Sequence, residues 1–278
     1  MVFLKLIRVR ETIFSLPLAY IGVLIAAEEM PSFSTWFYVT TALISARTLG
    51  MCLNRVFDKN IDAKNPRTAN RLLPSGQISV LTVVRYSVSF AILFVFSAYM
   101  LNTLCFYLSF LALFLLITYS WLKRFSSMTH LYLGLTEACA PIGGALAVYP
   151  EFSLKALIMG LYVILWIAGF DIIYACQDYR FDKTNSLFSI PAKYGLKKAL
   201  IISAVFHVAA VLILFLTGIM VNANILYWLC LLVVCCFFVW QHTLVSEKNL
   251  TRVSIAFFNA NRNISLTVFL AFLLNFIF

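Results

Sequence analysis

Residues 199–246 read ALIISAVFHVAAVLILFLTGIMVNANILYWLCLLVVCCFFVWQHTLVS, 48 residues without a single Lys, Arg, Asp or Glu. A helix needs about 20 apolar residues to cross a bilayer. This stretch is therefore too long for one crossing and fits two, with Asn222, Ala223 and Asn224 marking the turn. Tyr86–Leu122 is also charge-free and fits two crossings, with Asn102 at its turn. The same rule, carried outward, predicts spans at 12–29, 33–53, 80–101, 103–122, 131–149, 155–175, 198–221, 224–245 and 254–276. The expected fold is an all-α polytopic membrane protein, a bundle of nine transmembrane helices in one domain over residues 1–278.

Composition agrees with that reading. Hydrophobic residues make up 63% of the chain and charged residues 12%, with a mean hydropathy of +0.94. Soluble domains carry about 25% charged residues, so a cytosolic enzyme, a secreted disulfide scaffold and a disordered chain are all excluded. The seven cysteines are odd in number, sit mostly in apolar runs and show no metal-cage spacing. They read as buried free thiols. The net charge of +10 comes from Lys and Arg scattered singly between apolar blocks. That pattern speaks for membrane topology and anionic ligands rather than nucleic acid.

Nine spans place the N-terminus and residues 54–79, 123–130, 176–197 and 246–253 on one side. Every Lys and Arg falls there or at its margins except Arg47, Lys155 and Arg262. By the positive-inside rule this side is cytoplasmic and the C-terminus external, as in a bacterial-type inner membrane.

The five aspartates occupy two short segments at that face. Asn54, Asp58 and Asp62 are spaced i, i+4, i+8 and stack on one helix face. Asp171, Tyr174, Asp178 and Asp182 make a similar stripe at the cytoplasmic end of the sixth span. Carboxylates at membrane depth are expensive and point to function, and like charges at i, i+4 repel. A divalent cation removes that penalty. Oxygen ligands suit Mg²⁺, which takes one or two carboxylates and shares phosphate oxygens. Two such faces opposed could clamp two Mg²⁺ ions around one diphosphate. Zinc is not expected, because His130, His207 and His242 lie far from both segments in sequence. Arg67, Arg71, Lys123 and Arg124 are cations suited to phosphate oxygens. Pro66, Pro74 and Gly76 suggest an ordered loop over this face.

These residues resemble the UbiA superfamily of intramembrane aromatic prenyltransferases. The resemblance is carried by Asn54-x3-Asp58-x3-Asp62, Asn65-Pro-Arg-Thr, Leu73-Pro-Ser-Gly76, Tyr119-Ser-x2-Lys123-Arg124, Leu133-Gly134 and Ala140-Pro-Ile-Gly143. Asp171-x2-Tyr-Ala-x-Gln-Asp178-x2-Phe-Asp182-Lys and Ser189-Ile-Pro-Ala-x-Tyr-Gly195 complete it. It implies a nine-helix bundle with a central cavity under a cytoplasmic cap, a polyprenyl diphosphate donor, Mg²⁺, and an aromatic hydroxy acid acceptor in respiratory quinone biosynthesis. On this resemblance Asn54, Asp58 and Asp62 would hold one Mg²⁺ and Asp178 and Asp182 the other. Arg67, Arg71 and Lys123 would grip the diphosphate, and Asp171 and Tyr174 would line the reaction chamber. Asp171 would take the ring proton or orient the acceptor hydroxyl.

The motif combination suits 4-hydroxybenzoate as acceptor. However, Glu11-Thr-x-Phe14-x-Leu-Pro17 and Phe258-Asn-x3-Asn263-x-Ser265 resemble the branch of the futalosine route to menaquinone, which uses 1,4-dihydroxy-6-naphthoate. Both acceptors carry a carboxylate, for which Arg47 is the sharpest candidate and Arg8 and Arg10 the others. Arg47 could instead pair with Asp171 or Glu137. An ion-coupled transporter would also bury carboxylates, but near the midplane rather than at one face. A CDP-alcohol phosphotransferase would show a glycine-alanine-arginine aspartate signature that this chain lacks.

Overall fold

In the computed structural model of the chain, residues 2–7 and 9–278 are described, the side chains of 9–14 excepted. Arg8, and the side chains of Arg10, Glu11, Thr12 and Phe14, thus lie outside the described residues. The helices are α1 (Val2–Leu6), α2 (Val9–Ala26), α3 (Phe33–Lys64), α4 (Val80–Leu101), α5 (Thr103–Leu122), α6 (Thr129–Val148) and α7 (Leu154–Ala175). They continue as α8 (Tyr179–Thr184), α9 (Ile190–Tyr194), α10 (Leu196–Met220), α11 (Ile225–Thr243), α12 (Val253–Ile255) and α13 (Asn261–Ile277). Among the described residues there is no strand, only an isolated bridge between Ser246 and Asn249.

Seven stretches among the described residues are long and apolar enough to cross a membrane: Val80–Leu101, Thr103–Leu122, Thr129–Val148, Leu154–Thr184, Leu196–Met220, Ile225–Thr243 and Val253–Ile277. The first two expected spans fall on α2 and α3; among the described residues α2 contributes a shorter apolar helix over Ser15–Ala26, and α3 does not meet that standard. α3 falls short because Ser34, Thr35, Thr40, Thr41, Ser45, Arg47 and Thr48 dilute its apolar residues. It runs 32 residues, about 48 Å at the α-helical rise, against a hydrocarbon core of about 30 Å. Its C-terminal half therefore carries Arg55, Asp58, Lys59 and Asp62 beyond the length a crossing needs.

Short polar residues start the helices. Ser32, Ser79, Ser153 and Asn224 each accept the backbone N–H three residues on, and Asn102 caps α5 by accepting from Cys105. Such caps satisfy donors that lipid cannot. Thus both asparagine turns expected in the charge-free stretches are helix caps. Inside the spans, hydroxyls bond back to their own helix: Ser87 to Val83 O, Ser97 to Leu93 O, Thr136 to Tyr132 O and Thr217 to Ile213 O. A back-bonded hydroxyl needs no partner from a neighbour.

The chain divides into two compact units. One contains α1, α3, α4 and α5. There Leu6 and Ile7 pack with Cys52 of α3, Leu73 of the following loop and Val83 of α4. The 65–79 loop is ordered: Thr68 N–H donates to Asn65 O, Thr68 Oγ1 to Asp62 O, and Ile78 N–H to Leu72 O. The other unit contains α6 to α13 with the second half of α2. Gly22 of α2 and Gly144 of α6 allow these helices to touch backbone to backbone. A Cβ on Gly22 would strike the Pro141 carbonyl, and one on Gly144 the Ala19 carbonyl. This is the small-residue packing by which helices associate in lipid. α7 carries the most enclosed span of this unit, with 61% of an 18-residue apolar stretch buried against 28% for those of α10 and α11.

Candidate active site

The first acidic end is the last turns of α3, where one unbroken helix stacks Asn54, Asp58 and Asp62 as the spacing predicts. Asp58 and Asp62 are only 2% and 4% exposed. Asn54 Nδ2 donates to Asp58 Oδ2 at 3.0 Å, which leaves the Asn54 Oδ1 as an oxygen donor. Arg71 Nη1 donates to both carboxylate oxygens of Asp62, at 2.8 and 2.7 Å, and Arg55 Nη1 lies 3.9 Å away. Arg67 stands exposed on the loop, its N–H held by Asn65 Oδ1. Arg47 sits half-buried on α3, two turns before Asn54.

The second end departs from the expected single helical stripe. α7 stops at Ala175, a 3₁₀ turn spans Cys176–Asp178, and α8 resumes at Tyr179. The four residues therefore do not share one regular α-helix, because a 3₁₀ turn winds more tightly. Gln177 makes the break tolerable by donating its amide to the Tyr174 carbonyl at 3.3 Å. Asp182 Oδ2 accepts from Ser189 Oγ at 2.9 Å, and the same carboxylate lies within electrostatic reach of Asp178, Lys123 and His130. So the fold gathers Lys123, Asp178 and Asp182, which lie up to 59 residues apart in sequence.

Two features escaped the sequence. His130, distant from both acidic segments along the chain, meets Asp171: its Nδ1 lies 2.7 Å from Asp171 Oδ2. Its Nε2 accepts the Ile190 N–H at 3.2 Å, so Nδ1 is the protonated nitrogen and donates to Asp171. A histidine opening an apolar span was the available signal. The second feature is a π-helical turn at Ala256–Ala260 that sets Phe257 against Tyr174, ring centroids 4.2 Å apart. Its backbone is held by buried amides: Gln241 Nε2 donates to Ala256 O at 2.8 Å, and Asn261 Nδ2 to Phe257 O at 2.7 Å. Trp166 Nε1 completes the network on Asn261 Oδ1 at 3.1 Å. π-turns commonly occur at functional sites.

Among the described residues no three of His, Cys, Asp and Glu gather as a metal-ligating group. Each acidic end instead offers two carboxylates, with an amide oxygen added on α3. That donor set suits Mg²⁺, which fills its remaining positions with water and phosphate oxygens.

Apolar spans ending in paired carboxylates and cations define a multi-pass integral membrane protein equipped to handle an anionic ligand. The model of the UbiA prenyltransferase family matches residues 15–273. The chain belongs to that family and is a prenyltransferase. A 4-hydroxybenzoate octaprenyltransferase from Francisella tularensis subsp. novicida is 29% identical over 256 residues, covering 92% of this chain and 89% of that protein. A UbiA homolog from Aeropyrum pernix K1, solved in the apo state, is 29% identical with a TM-score of 0.87, covering 95% of this chain and 97% of its own. A UbiA homolog from Archaeoglobus fulgidus bound to DMAPP and Mg²⁺ shares the fold, with a TM-score of 0.72 at 19% identity over 96% of this chain and 99% of its own.

Proposed function

We propose that the chain transfers a polyprenyl group from polyprenyl diphosphate to a ring carbon of a hydroxyaryl carboxylate of the 4-hydroxybenzoate type, in respiratory quinone biosynthesis. The observation that carries this reading is the pair of acidic helix ends, each with its own cations, in a chain that matches a 4-hydroxybenzoate octaprenyltransferase over most of both lengths. Asn54, Asp58 and Asp62 would hold one Mg²⁺ and Asp178 and Asp182 another. Bound Mg²⁺ supplies charge neutralisation that lets the allylic C–O bond ionise; the Archaeoglobus homolog with DMAPP and Mg²⁺ supports this choice of metal.

Arg67, Arg71 and Lys123 grip the diphosphate oxygens and stabilise the negative charge that grows on them. Arg71 is already aimed by its bidentate pairing to Asp62. Tyr174 and its Phe257 neighbour line the reaction chamber with aromatic surface, which excludes water from the allylic cation. Asp171, fixed by the His130 N–H, takes the ring proton released when the carbon ortho to the phenolic hydroxyl attacks, or orients that hydroxyl. Arg47 binds the acceptor carboxylate.

The domain is single over 1–278, with nine crossings, the basic loops forming a cytoplasmic cap and the C-terminus external. An alkaline phosphatase fused after Phe278 is then active. A silent fusion reverses the orientation.

The deciding experiment incubates membranes holding the protein with a polyprenyl diphosphate, Mg²⁺ and each hydroxyaryl acid in turn. A prenylated 4-hydroxybenzoate is the expected product. Absence of product with every acceptor defeats the reading, and product with 1,4-dihydroxy-6-naphthoate alone moves the acceptor to the menaquinone branch.

A further inference from the structure

The segment Leu187–Ile190, which joins α8 to α9, is bound to the site at every residue. Leu187 N–H donates to Asp182 O at 2.9 Å and Phe188 N–H to Lys123 O at 2.8 Å. Ser189 Oγ donates to Asp182 Oδ2 at 2.9 Å. Ile190 N–H donates to His130 Nε2 at 3.2 Å, and His130 Nδ1–H donates onward to Asp171 Oδ2 at 2.7 Å. Ser189 and Ile190 are each 4% exposed and His130 is 2% exposed, so the bonds these three residues make are largely shielded from water.

We infer that Leu187–Ile190 is a positioning strap that fixes the metal-side carboxylate of Asp182 and, through His130, the acceptor-side carboxylate of Asp171 from two consecutive residues. The inference rests on the reading of Asp171 and Asp182 as reaction-site residues. Two features separate the strap from an ordinary helix cap. Ser189 caps α9, accepting from Ala192 N–H at 3.3 Å, while spending its own proton on Asp182. The Ile190 N–H, one of the donors a helix start leaves unmet, is met by an imidazole 60 residues away rather than by a local side chain. Because Ile190 supplies the hydrogen to Nε2, it fixes the imidazole as the neutral Nδ1–H tautomer. A neutral donor orients the Asp171 carboxylate without surrendering a proton to it. His130 and Ser189 are thus positioning residues that act through Asp171 and Asp182.

The strap predicts separable losses. Groups that orient a ligating or reacting side chain cost about 10–100-fold when removed. His130→Phe lowers kcat about 30-fold, while KM for polyprenyl diphosphate stays within about twofold. His130→Asn, whose amide places an N–H where Nδ1 stands, recovers most of kcat. Ser189→Ala weakens Mn²⁺ binding about tenfold, read by electron paramagnetic resonance on the purified protein without substrate, and Ser189→Thr restores it. Mn²⁺ binding to His130→Phe is unchanged, which also shows that this variant is folded.

A kcat within about twofold of wild type in His130→Phe overturns the inference, as do equal losses in the Phe and Asn variants. Normal Mn²⁺ binding in Ser189→Ala overturns its metal side. Should His130→Phe fail to fold, His130→Asn alone decides: a loss as large as about 30-fold defeats the inference. A wild-type protein inactive on every hydroxyaryl acid defeats the proposed function instead, and Mn²⁺ binding to the Ser189 variants still tests the strap.

Discussion

The two acidic ends hold their carboxylates by different means. On α3, Asp62 is matched by Arg71 through two charge-assisted bonds, with Arg55 nearby, so charge meets charge within one helix and its following loop. At the second end, Asp171 and Asp182 are held by neutral donors, an imidazole N–H from a residue 41 positions away and a hydroxyl seven residues on. A cation partner offsets the charge it holds, whereas a neutral donor fixes geometry and leaves the charge in place. The first end is therefore an anion-ready surface in which Asp62 poises an arginine. The second is a set of oriented carboxylates poised for a cation and a proton.

The sharpest break in this comparison would be unequal need for the two ends. Asp58→Ala and Asp178→Ala are each expected to lower turnover at least about 10³-fold, since each removes a ligand from a two-carboxylate set. Both proteins should still insert, as judged by yield in the membrane fraction. Near-normal turnover in either variant would show that only one end serves the diphosphate.

Next in size is the stability cost of uncovering a charge. Arg71→Ala leaves the Asp62 carboxylate, 4% exposed, without its bidentate partner. The residual Arg55 contact at 3.9 Å limits the loss, so a destabilisation of about 2 kcal/mol is expected. Ser189→Ala at the second end removes one hydroxyl donor and should cost about 1 kcal/mol. Thermal unfolding in detergent compares the two; a larger cost for Ser189 would reverse the distinction between the ends.

A third test concerns the wall beneath the second end. Asn261→Leu removes the amide that holds the Phe257 carbonyl and accepts from Trp166 and Gln241. The π-turn should relax, shift Phe257 off Tyr174 and lower kcat about tenfold, with Mn²⁺ binding intact. Unchanged kcat would make the network purely a packing device.

What sequence could and could not show follows the same division. Seven of the nine expected spans were legible because lipid demands long apolar runs, and the shared face of Asn54, Asp58 and Asp62 was legible because they lie at i, i+4 and i+8 on one helix. The second end was legible only in composition. Its helix is interrupted by a 3₁₀ turn at Cys176–Asp178, a feature invisible to a spacing rule. Its decisive contact joins His130 to Asp171 across 41 residues and depends on how α6 and α7 pack. The π-turn was hidden for a similar reason: Gln241 and Asn261 look like isolated polar residues until α11 and α13 bring them together.

The smallest expected effect separates two arginines of the first end. Arg67 and Arg71 lie four residues apart in the same loop, and spacing alone gives them equal claims on the diphosphate. In the fold they differ: Arg67 is exposed, while Arg71 is half-buried against Asp62. An exposed cation contributes little to folding, so Arg67→Ala should change stability by less than about 0.5 kcal/mol. Its charge still reaches a bound phosphate through solvent, and KM for polyprenyl diphosphate should rise about threefold, an increase that salt erodes. Arg71→Ala should raise the same KM and loosen the loop as well, because the Arg71 side chain ties the loop to Asp62. If Arg67→Ala destabilised the protein as much as Arg71→Ala, the charge pairing at Asp62 would not be what organises the first end.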